Sequence, residues 1–155
     1  MKKLVNFLIE KNKTISFMES CTGGFLSNCV TNVEDASNVF KYGAVTYSND
    51  FKIKMGVSSS TIDKYSVYSK EVAMEMSRAI SFFSNSNYGV GVTGKLNRSD
   101  KNNLYGDDNI VYISIYDRDS DKYIVDSYVV TKKNRNENKQ IIVDKFIEMF
   151  SLYFD

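Results

Sequence analysis

The sequence predicts a three-layer α/β/α sandwich with a mixed, mostly parallel sheet of about five strands. Strand-like and helical patterns alternate over the first two thirds of the chain, which is typical of parallel strands joined by crossover helices. Two strand-like segments then follow one another across a short polar turn, which indicates a hairpin. A length of 155 residues suits one hydrophobic core, so we expect residues 1–155 to form a single domain.

The elements of the first half follow from spacing and residue type. Leu4, Phe7 and Leu8 recur at helical spacing, whereas Thr14–Met18 is short, apolar and partly β-branched, as in a buried strand. Gly23 and Gly24 then break the pattern before the next helix. The predicted elements are a helix over 2–12, a strand over 14–18, a helix carrying Phe25, Leu26, Cys29 and Val30, a strand over 42–47, and a short helix opened by Ser60 and Asp63.

The second half contains the clearest helix. Val72, Met76, Ile80 and Phe83 share one helical face and predict a helix from about residue 70 to 84. The remaining predicted elements are a strand over 88–93 ending at Gly94, a long polar loop over 95–109, strands over 110–116 and 123–130 joined by the turn 117–121, and a last helix carrying Ile142, Phe146, Met149, Phe150 and Tyr153.

The chain contains no histidine, no proline and no tryptophan. Without histidine there is no Ser-His-Asp triad, no Cys-His dyad and no imidazole metal ligand. Acid–base chemistry must therefore use Lys, Tyr, Asp, Glu or Cys side chains. The acidic residues at 107–108 and 117–121 lack the spacing of a calcium-binding loop, so we predict no metal site.

Charge and hydropathy exclude several classes of partner. Twenty basic and nineteen acidic residues give a net charge of +1, so we expect no nucleic-acid partner. No window approaches 18 apolar residues, and we expect no membrane span. Cys21 and Cys29 are too few for a disulfide framework and favour reduced thiols. Since no signal peptide is recognisable either, we expect a cytoplasmic protein.

The first candidate site is Glu19–Gly24, at the point where a predicted strand ends and a helix begins. Ligands bind beyond the carboxyl ends of strands in open α/β sheets. The glycines allow close approach, and the free N–H groups of the helix start suit an anion or an oxyanion. The same pattern also fits a helix that Ser20 and Thr22 merely cap.

Two further candidates are basic. Lys52 follows the predicted strand end at Tyr47, and near Ser20 it could replace histidine as the base of a serine nucleophile. From spacing alone Lys52 could equally be a solvated surface residue. The Lys132–Arg135 segment, with Lys139 at the start of the last helix, could contact a phosphate or simply be solvated.

Taken together, Glu19–Gly24, Tyr47–Asn49 and Lys52 resemble the C-terminal domain of the competence-damage-inducible CinA family. That family includes stand-alone nicotinamide mononucleotide deamidases. The resemblance continues through Gly56-Val57, Tyr68–Ala73 and Val90–Gly94, so it covers nearly the whole chain.

The resemblance implies an α/β/α fold and an amidohydrolase that converts nicotinamide mononucleotide and water to nicotinic acid mononucleotide and ammonia. It implies that Ser20 is the nucleophile, Lys52 its base and Tyr47 a supporting residue, with no cofactor. It further implies a nucleotide substrate and is compatible with a homo-oligomer. The candidate substrate-binding residues are Glu19, Thr22, Gly23, Gly24, Asn49, Thr93, Gly94 and Arg135.

The segment after Gly94 departs from the family pattern. The family continues with alanine, proline and further glycines, whereas this chain has Lys95–Asp100 and no glycine until Gly106. Two alternatives therefore stay open. One is a non-catalytic relative that binds a nucleotide or a protein partner, and the other is an amidohydrolase for a different small amide.

Overall fold

The computed structural model describes residues 1–154 and shows a five-stranded sheet between two helical layers. The strands are β1 (Ile15–Glu19), β2 (Phe40–Val45), β3 (Tyr88–Gly94), β4 (Ile110–Asp117) and β5 (Lys122–Val129). The helices are α1 (Lys2–Glu10), α2 (Phe25–Thr31), α3 (Asn49–Lys54), α4 (Ser59–Tyr65), α5 (Lys70–Ser84) and α6 (Arg135–Phe154), with a short 3-10 helix over Ala36–Asn38.

The sheet has the strand order β2-β1-β3-β4-β5. β1 pairs in parallel with β2 and β3, whereas β3–β4 and β4–β5 are antiparallel. Among these strands only β4 is antiparallel to the rest. This confirms the predicted mixed α/β sandwich. β1 and β3 are the strands whose every residue is buried, because each has a neighbouring strand on both sides and helices on both faces.

Two apolar clusters fill the space on either side of the sheet. The larger one combines α1, α2 and α6 with the sheet, through residues such as Leu8, Leu26 and Phe146. The smaller one lies under α5 and is built from Met18, Val57, Val67, Val72, Met76 and Ile80. These two clusters place the connections that follow β1, β2 and β3 at the same edge of the sheet.

The glycines of β3 let α5 pack directly on the strand. A Cβ at Gly89 would lie 1.9 Å from the carbonyl oxygen of Ser77, and one at Gly91 would lie 2.3 Å from that of Ala73. Neither distance leaves room for a side chain. The alternation of glycine and valine in β3 is therefore a requirement of the helix–sheet contact.

The structure corrects two predicted boundaries and adds one short helix. β2 spans 40–45 instead of 42–47, so Tyr47 lies beyond the strand. α3 was not predicted, because six residues are too few to show a helical period. α6 begins at Arg135, one turn ahead of Lys139. Within residues 1–154, no helix has the length and apolarity needed to cross a membrane.

Candidate active site

The site lies where the three adjacent parallel strands β1, β2 and β3 end. Ser20 follows β1 directly, and its backbone N–H donates to the carbonyl of Val92 in β3 at 3.0 Å. On the other side, the N–H of Thr46 donates to the carbonyl of Glu19 at 2.9 Å. These bonds hold the turns after β1 and β2 side by side at the carboxyl edge, where α/β sheets bind ligands.

Ser20 and Lys52 meet at this edge. Lys52 Nζ lies 3.1 Å from Ser20 Oγ and donates to the carbonyl oxygen of Thr46 at 2.8 Å. The α3 helix turns Lys52 inward, beginning where the Ser48 hydroxyl accepts a hydrogen bond from Phe51 N–H at 3.3 Å. The two residues that the sequence places 32 positions apart are thus within hydrogen-bond reach.

Lys52 is buried without a counter-ion. Its exposed fraction is 1%, and no carboxylate among the described residues lies within 4.0 Å of its Nζ. Burial lowers the pKa of Lys52 to about 8, because removal from water disfavours the charged ammonium. A lysine in this state is suited to accept a proton near neutral pH.

Glu19 stabilises the turn beside Ser20. Its buried carboxylate accepts hydrogen bonds from the N–H groups of Gly24, Leu26 and Ser27 at 2.8–3.1 Å and from the Ser27 hydroxyl at 2.7 Å. The carboxylate thereby occupies the amino end of α2. Glu19 was predicted to bind substrate, but the structure places it outside the pocket, in a capping position.

Hydrogen bonds within this turn also occupy the N–H groups of Gly23 and Gly24, which were predicted to be free for a ligand. Gly23 and Gly24 have φ of 62° and 90°, which favours glycine. However, the Gly23 N–H donates to the carbonyl of Ser20 at 3.0 Å, and the Gly24 N–H donates to Glu19. Neither is available to a ligand. In the described part of the chain, the Thr22 N–H has no protein acceptor, and its buried hydroxyl also lacks a partner.

A pocket of about 580 Å³ opens in front of the Ser20–Lys52 pair. Of the predicted site residues, Ser20, Tyr47, Asn49, Lys52, Gly94 and Arg135 line it. Glu19, Thr22, Gly23, Gly24 and Thr93 do not. Thr93 is fully buried, and its hydroxyl donates to the carbonyl of Val67 at 2.9 Å. It therefore holds the segment before α5 and does not face the pocket.

Cys21 also borders the pocket, but as an inert thiol. It is 4% exposed, and burial raises its pKa to about 12. A protonated thiol is a poor nucleophile. Cys21 is thus a buried free thiol.

Sequence reasoning missed a wall of the pocket formed by Tyr68 and the loop after β3. The Tyr68 hydroxyl donates to the Asp100 carboxylate, which also accepts from Asn103 Nδ2 at 2.8 Å. Asn103 Oδ1 in turn accepts from Asn49 Nδ2 at 3.0 Å. The hydrogen bond from Tyr68 is the main reason that the pKa of Asp100 is lowered. This chain of contacts joins the loop to α3 across the pocket.

Lys95 shapes the base of that loop. Its buried Nζ donates to the carbonyl of Gly106 at 2.9 Å and lies 3.0 Å from Asp108 Oδ1. The ammonium is thus enclosed by the loop that it begins. These pocket residues could have been predicted from the sequence, because a run of Asp and Asn side chains follows the carboxyl end of a strand.

Arg135 and Lys139 approach the site from α6. Arg135 Nη2 donates to the Tyr47 hydroxyl at 3.4 Å, and a Cβ at Gly23 would come 3.4 Å from Lys139 Nζ. Among residues 1–154, no group of three or more His, Cys, Asp or Glu side chains has the arrangement of a metal site. The charged side chains that line the pocket with Ser20 and Lys52 are both basic and acidic: Lys95, Arg98, Lys101, Arg135, Asp50 and Asp100.

The fold and the pocket define an α/β protein whose ligand site lies at the carboxyl edge of a mixed sheet. A family model of the CinA C-terminal domain matches residues 1–154. The chain therefore belongs to the CinA C-terminal domain family.

Relatives of known sequence are longer than this chain. A protein described as a competence-damage inducible protein from Alkaliphilus oremlandii is 50% identical over 92 residues, covering 59% of this chain and 22% of that protein. A CinA-like protein from Thermosipho melanesiensis is 36% identical over 138 residues, covering 87% of this chain and 32% of that protein. The chain thus spans about a third or less of the length of these relatives.

Solved structures share the fold. A CinA superfamily protein from Enterobacter cloacae superposes with a TM-score of 0.90 at 19% identity, covering 99% of this chain and 89% of that one. The competence/damage inducible protein CihA from Agrobacterium tumefaciens gives 0.85 at 24% identity, covering 97% and 90%. At these identities the likeness supports the architecture alone.

Proposed function

We propose that this protein is an amidohydrolase that converts nicotinamide mononucleotide and water to nicotinic acid mononucleotide and ammonia. The observation that carries the proposal is the 3.1 Å contact between Lys52 Nζ and Ser20 Oγ. The lysine is buried and has no carboxylate partner among the described residues. A serine paired with such a lysine is a recognised alternative to the serine–histidine pair.

The chemistry proceeds through an acyl-enzyme. Neutral Lys52 takes the Ser20 hydroxyl proton while the oxygen attacks the carboxamide carbon, forming a tetrahedral oxyanion. Lys52 then donates that proton to the departing nitrogen, the C–N bond breaks and ammonia leaves. A water molecule, deprotonated by Lys52, attacks the ester, and Ser20 regains its proton as the acid product departs.

The oxyanion requires donors that the fold has left free. The Gly23 and Gly24 N–H groups are already bonded within the turn, and Thr22 does not line the pocket. The backbone N–H of Cys21, a residue that borders the pocket, is therefore the proposed donor. Backbone N–H groups held rigidly in a buried turn stabilise developing charge without reorganising. Tyr47 and Arg135, in mutual contact at the pocket wall, would orient the rest of the nucleotide.

The direct test is turnover of nicotinamide mononucleotide, followed by release of ammonia and of the acid product. We expect Ser20→Ala and Lys52→Met each to reduce kcat at least about 1,000-fold, since each removes one member of a pair that acts as a unit. Ser37→Ala, an exposed serine outside the pocket, is the matched control and should retain wild-type kcat.

Full activity of Ser20→Ala would contradict the mechanism. Wild-type protein that hydrolyses other small amides but not nicotinamide mononucleotide would support the second candidate, an amidohydrolase of different specificity. Asp100 and Asn103 in the pocket wall favour that candidate, because they lie in the segment after Gly94 that departs from the family pattern. Ligand binding without turnover of any amide would indicate a non-catalytic relative.

A further inference from the structure

We propose that Arg98, in the loop after β3, forms an anion-binding corner with Arg135 and binds the phosphate of the substrate. The identity of that substrate as a nucleotide rests on the proposed function. The inference adds a specificity-determining residue from the segment in which this chain departs from its relatives' pattern. Both arginines line the pocket that contains Ser20 and Lys52.

Asn138 holds the two arginine-bearing segments together. This residue is fully buried on α6. Its Nδ2 donates to the carbonyl of Leu96 at 3.2 Å and to that of Lys132 at 2.8 Å, while its Oδ1 accepts from the Lys132 N–H at 3.0 Å. One side chain thus joins the start of the loop to the segment before α6.

A second contact joins the same two segments at a point nearer to the arginines along the chain. Asn97 Nδ2 donates to the same Lys132 carbonyl at 3.2 Å. Arg98 follows Asn97 directly, and Arg135 lies three residues after Lys132. The segments that lead to Arg98 and Arg135 are therefore hydrogen-bonded to each other, and both arginines line the pocket.

The backbone before Arg98 is unusual. Leu96 and Asn97 both adopt positive φ, of 54° and 60°, a conformation that residues other than glycine rarely take. Leu96 is 1% exposed and anchors the loop in the larger apolar cluster. Such backbone strain persists where surrounding contacts over-determine it, and it recurs at ligand clamps. Here it sets the direction in which the chain leaves β3 toward Arg98.

Neither arginine of the corner is neutralised by a carboxylate in the described part of the chain. No ion pair within 4.0 Å involves Arg98 or Arg135. The other two arginines are engaged elsewhere: Arg78 and Arg118 lie over the Phe82 ring, and Arg118 also bonds Asn85. Half of the chain's arginines thus line one pocket.

The carboxylates of Asp50 and Asp100 border this pocket but form no ion pair with either arginine. Asp100 already accepts hydrogen bonds from Tyr68 and Asn103, and Asp50 is exposed on α3. Two planar guanidinium groups offer paired N–H donors, and a phosphate dianion offers enough oxygens to accept from both. A phosphate monoester is therefore the group that fits this corner.

The test measures binding by titration calorimetry, with three probes: inorganic phosphate, nicotinic acid mononucleotide and nicotinic acid riboside. We expect Arg98→Gln to raise the Kd of both phosphate-bearing probes about 10-fold, as loss of a charge-assisted hydrogen bond would. The Kd of the riboside, which lacks the phosphate, should not change. Arg98→Lys keeps the charge but loses the paired donors and should give an intermediate Kd.

Arg118→Gln is the matched control, because it removes the same charge from an arginine outside the pocket. An unchanged Kd in Arg118→Gln would support an effect specific to the anion-binding corner. An equal loss in Arg98→Gln and Arg118→Gln would overturn the proposal, as would wild-type affinity in Arg98→Gln or loss of riboside binding to the same degree. Thermal unfolding of each variant checks that the fold is intact.

Failure of the anion-binding corner can be distinguished from failure of the proposed deamidase function. If wild-type protein fails to release ammonia from nicotinamide mononucleotide yet binds inorganic phosphate in an Arg98-dependent manner, the deamidase assignment fails and the anion corner stands. If turnover is observed and Arg98→Gln leaves phosphate binding unchanged, the anion corner fails and the deamidase assignment stands.

Discussion

Lys52 carries the largest electrostatic cost in the candidate site. Its ammonium is enclosed by protein and hydrogen-bonded to Ser20 and to the Thr46 carbonyl, with no carboxylate at hand among the described residues. An ordinary lysine has a pKa of about 10.4, so about one in 2,500 is neutral at pH 7. With a pKa of about 8, about a tenth is neutral, which makes Lys52 a usable base.

This shift predicts the pH dependence of the reaction. In the proposed mechanism neutral Lys52 is the reactive form, so kcat/KM should rise with pH up to about 8 and then level off. A pH series of initial rates for nicotinamide mononucleotide hydrolysis, with protein stability checked at each pH, measures it. A rate that is flat between pH 6 and 8, or that falls with rising pH, would contradict the assignment of Lys52 as the base.

Glu19 belongs to a recognisable motif, but its side chain stabilises the backbone of the turn. Its four hydrogen bonds saturate the amino end of α2, and this fixes the turn that presents Ser20. Within the motif, Ser20 is thus the candidate for the chemistry, whereas Glu19 stabilises the turn. That division depends on where each side chain points, and adjacency in sequence does not reveal it.

At the scale of elements, the contact of α5 with β3 positions the loop that walls the pocket. Gly89 and Gly91 bring the helix against the strand so closely that the nearest atoms are backbone carbonyls. Backbone atoms cannot rotate away as a side chain does. A methyl group here must therefore displace the helix, and with it the Val67–Tyr68 segment that precedes it.

Gly91→Ala should accordingly lower the free energy of unfolding by about 3 kcal/mol, the upper end of the usual overpacking cost. Chemical denaturation followed by circular dichroism measures the loss. Gly43→Ala on β2 is the matched control, because its new Cβ would meet side-chain atoms of Ser27 and Phe40. These side chains can rotate, at the cost of the Ser27 hydroxyl bond to Glu19, so a smaller loss is expected. Equal stability of the two variants would contradict the proposed role of close backbone packing.

At the scale of the whole molecule, the site reduces the stability of the fold. Burying a lysine without a counter-ion favours its neutral form, and the protein bears that cost wherever the lysine is charged. Below pH 8 the residue is protonated in both folded and unfolded states, so the cost is present in full. Between pH 8 and about 10.4 only the unfolded lysine stays charged, so the cost declines as pH rises.

Lys52→Met should therefore be inactive and yet more stable than wild type, by about 1–3 kcal/mol at pH 7. The gain should shrink as the pH approaches about 10. Denaturant titrations of both proteins at pH 7 and pH 9.5 measure the difference, with Ser20→Ala as the inactive control that keeps the lysine. A variant no more stable than wild type at pH 7, or a gain that is independent of pH, would refute the argument.

The sequence by itself determined the architecture and the motif that marks the candidate site. Hydrophobic period and glycine placement are local properties, so β1, β3, α5 and the hairpin could be predicted to within a few residues. The absence of histidine, an exact property of composition, directed attention to Lys52 as the base. The motif around Ser20 is contiguous and therefore recognisable without any structure.

Only the tertiary structure decided which residues share the pocket. α3 is too short to show a period, and its inward turn of Lys52 depends on the Ser48 cap and on packing. Tyr68, Asp100 and Asn103 meet through contacts between distant segments. Asn138 likewise joins the start of the loop at Leu96 to the segment before α6 at Lys132. Burial, and with it the lowered pKa of Lys52, is a property of the surrounding fold, because desolvation depends on atoms contributed by the whole chain.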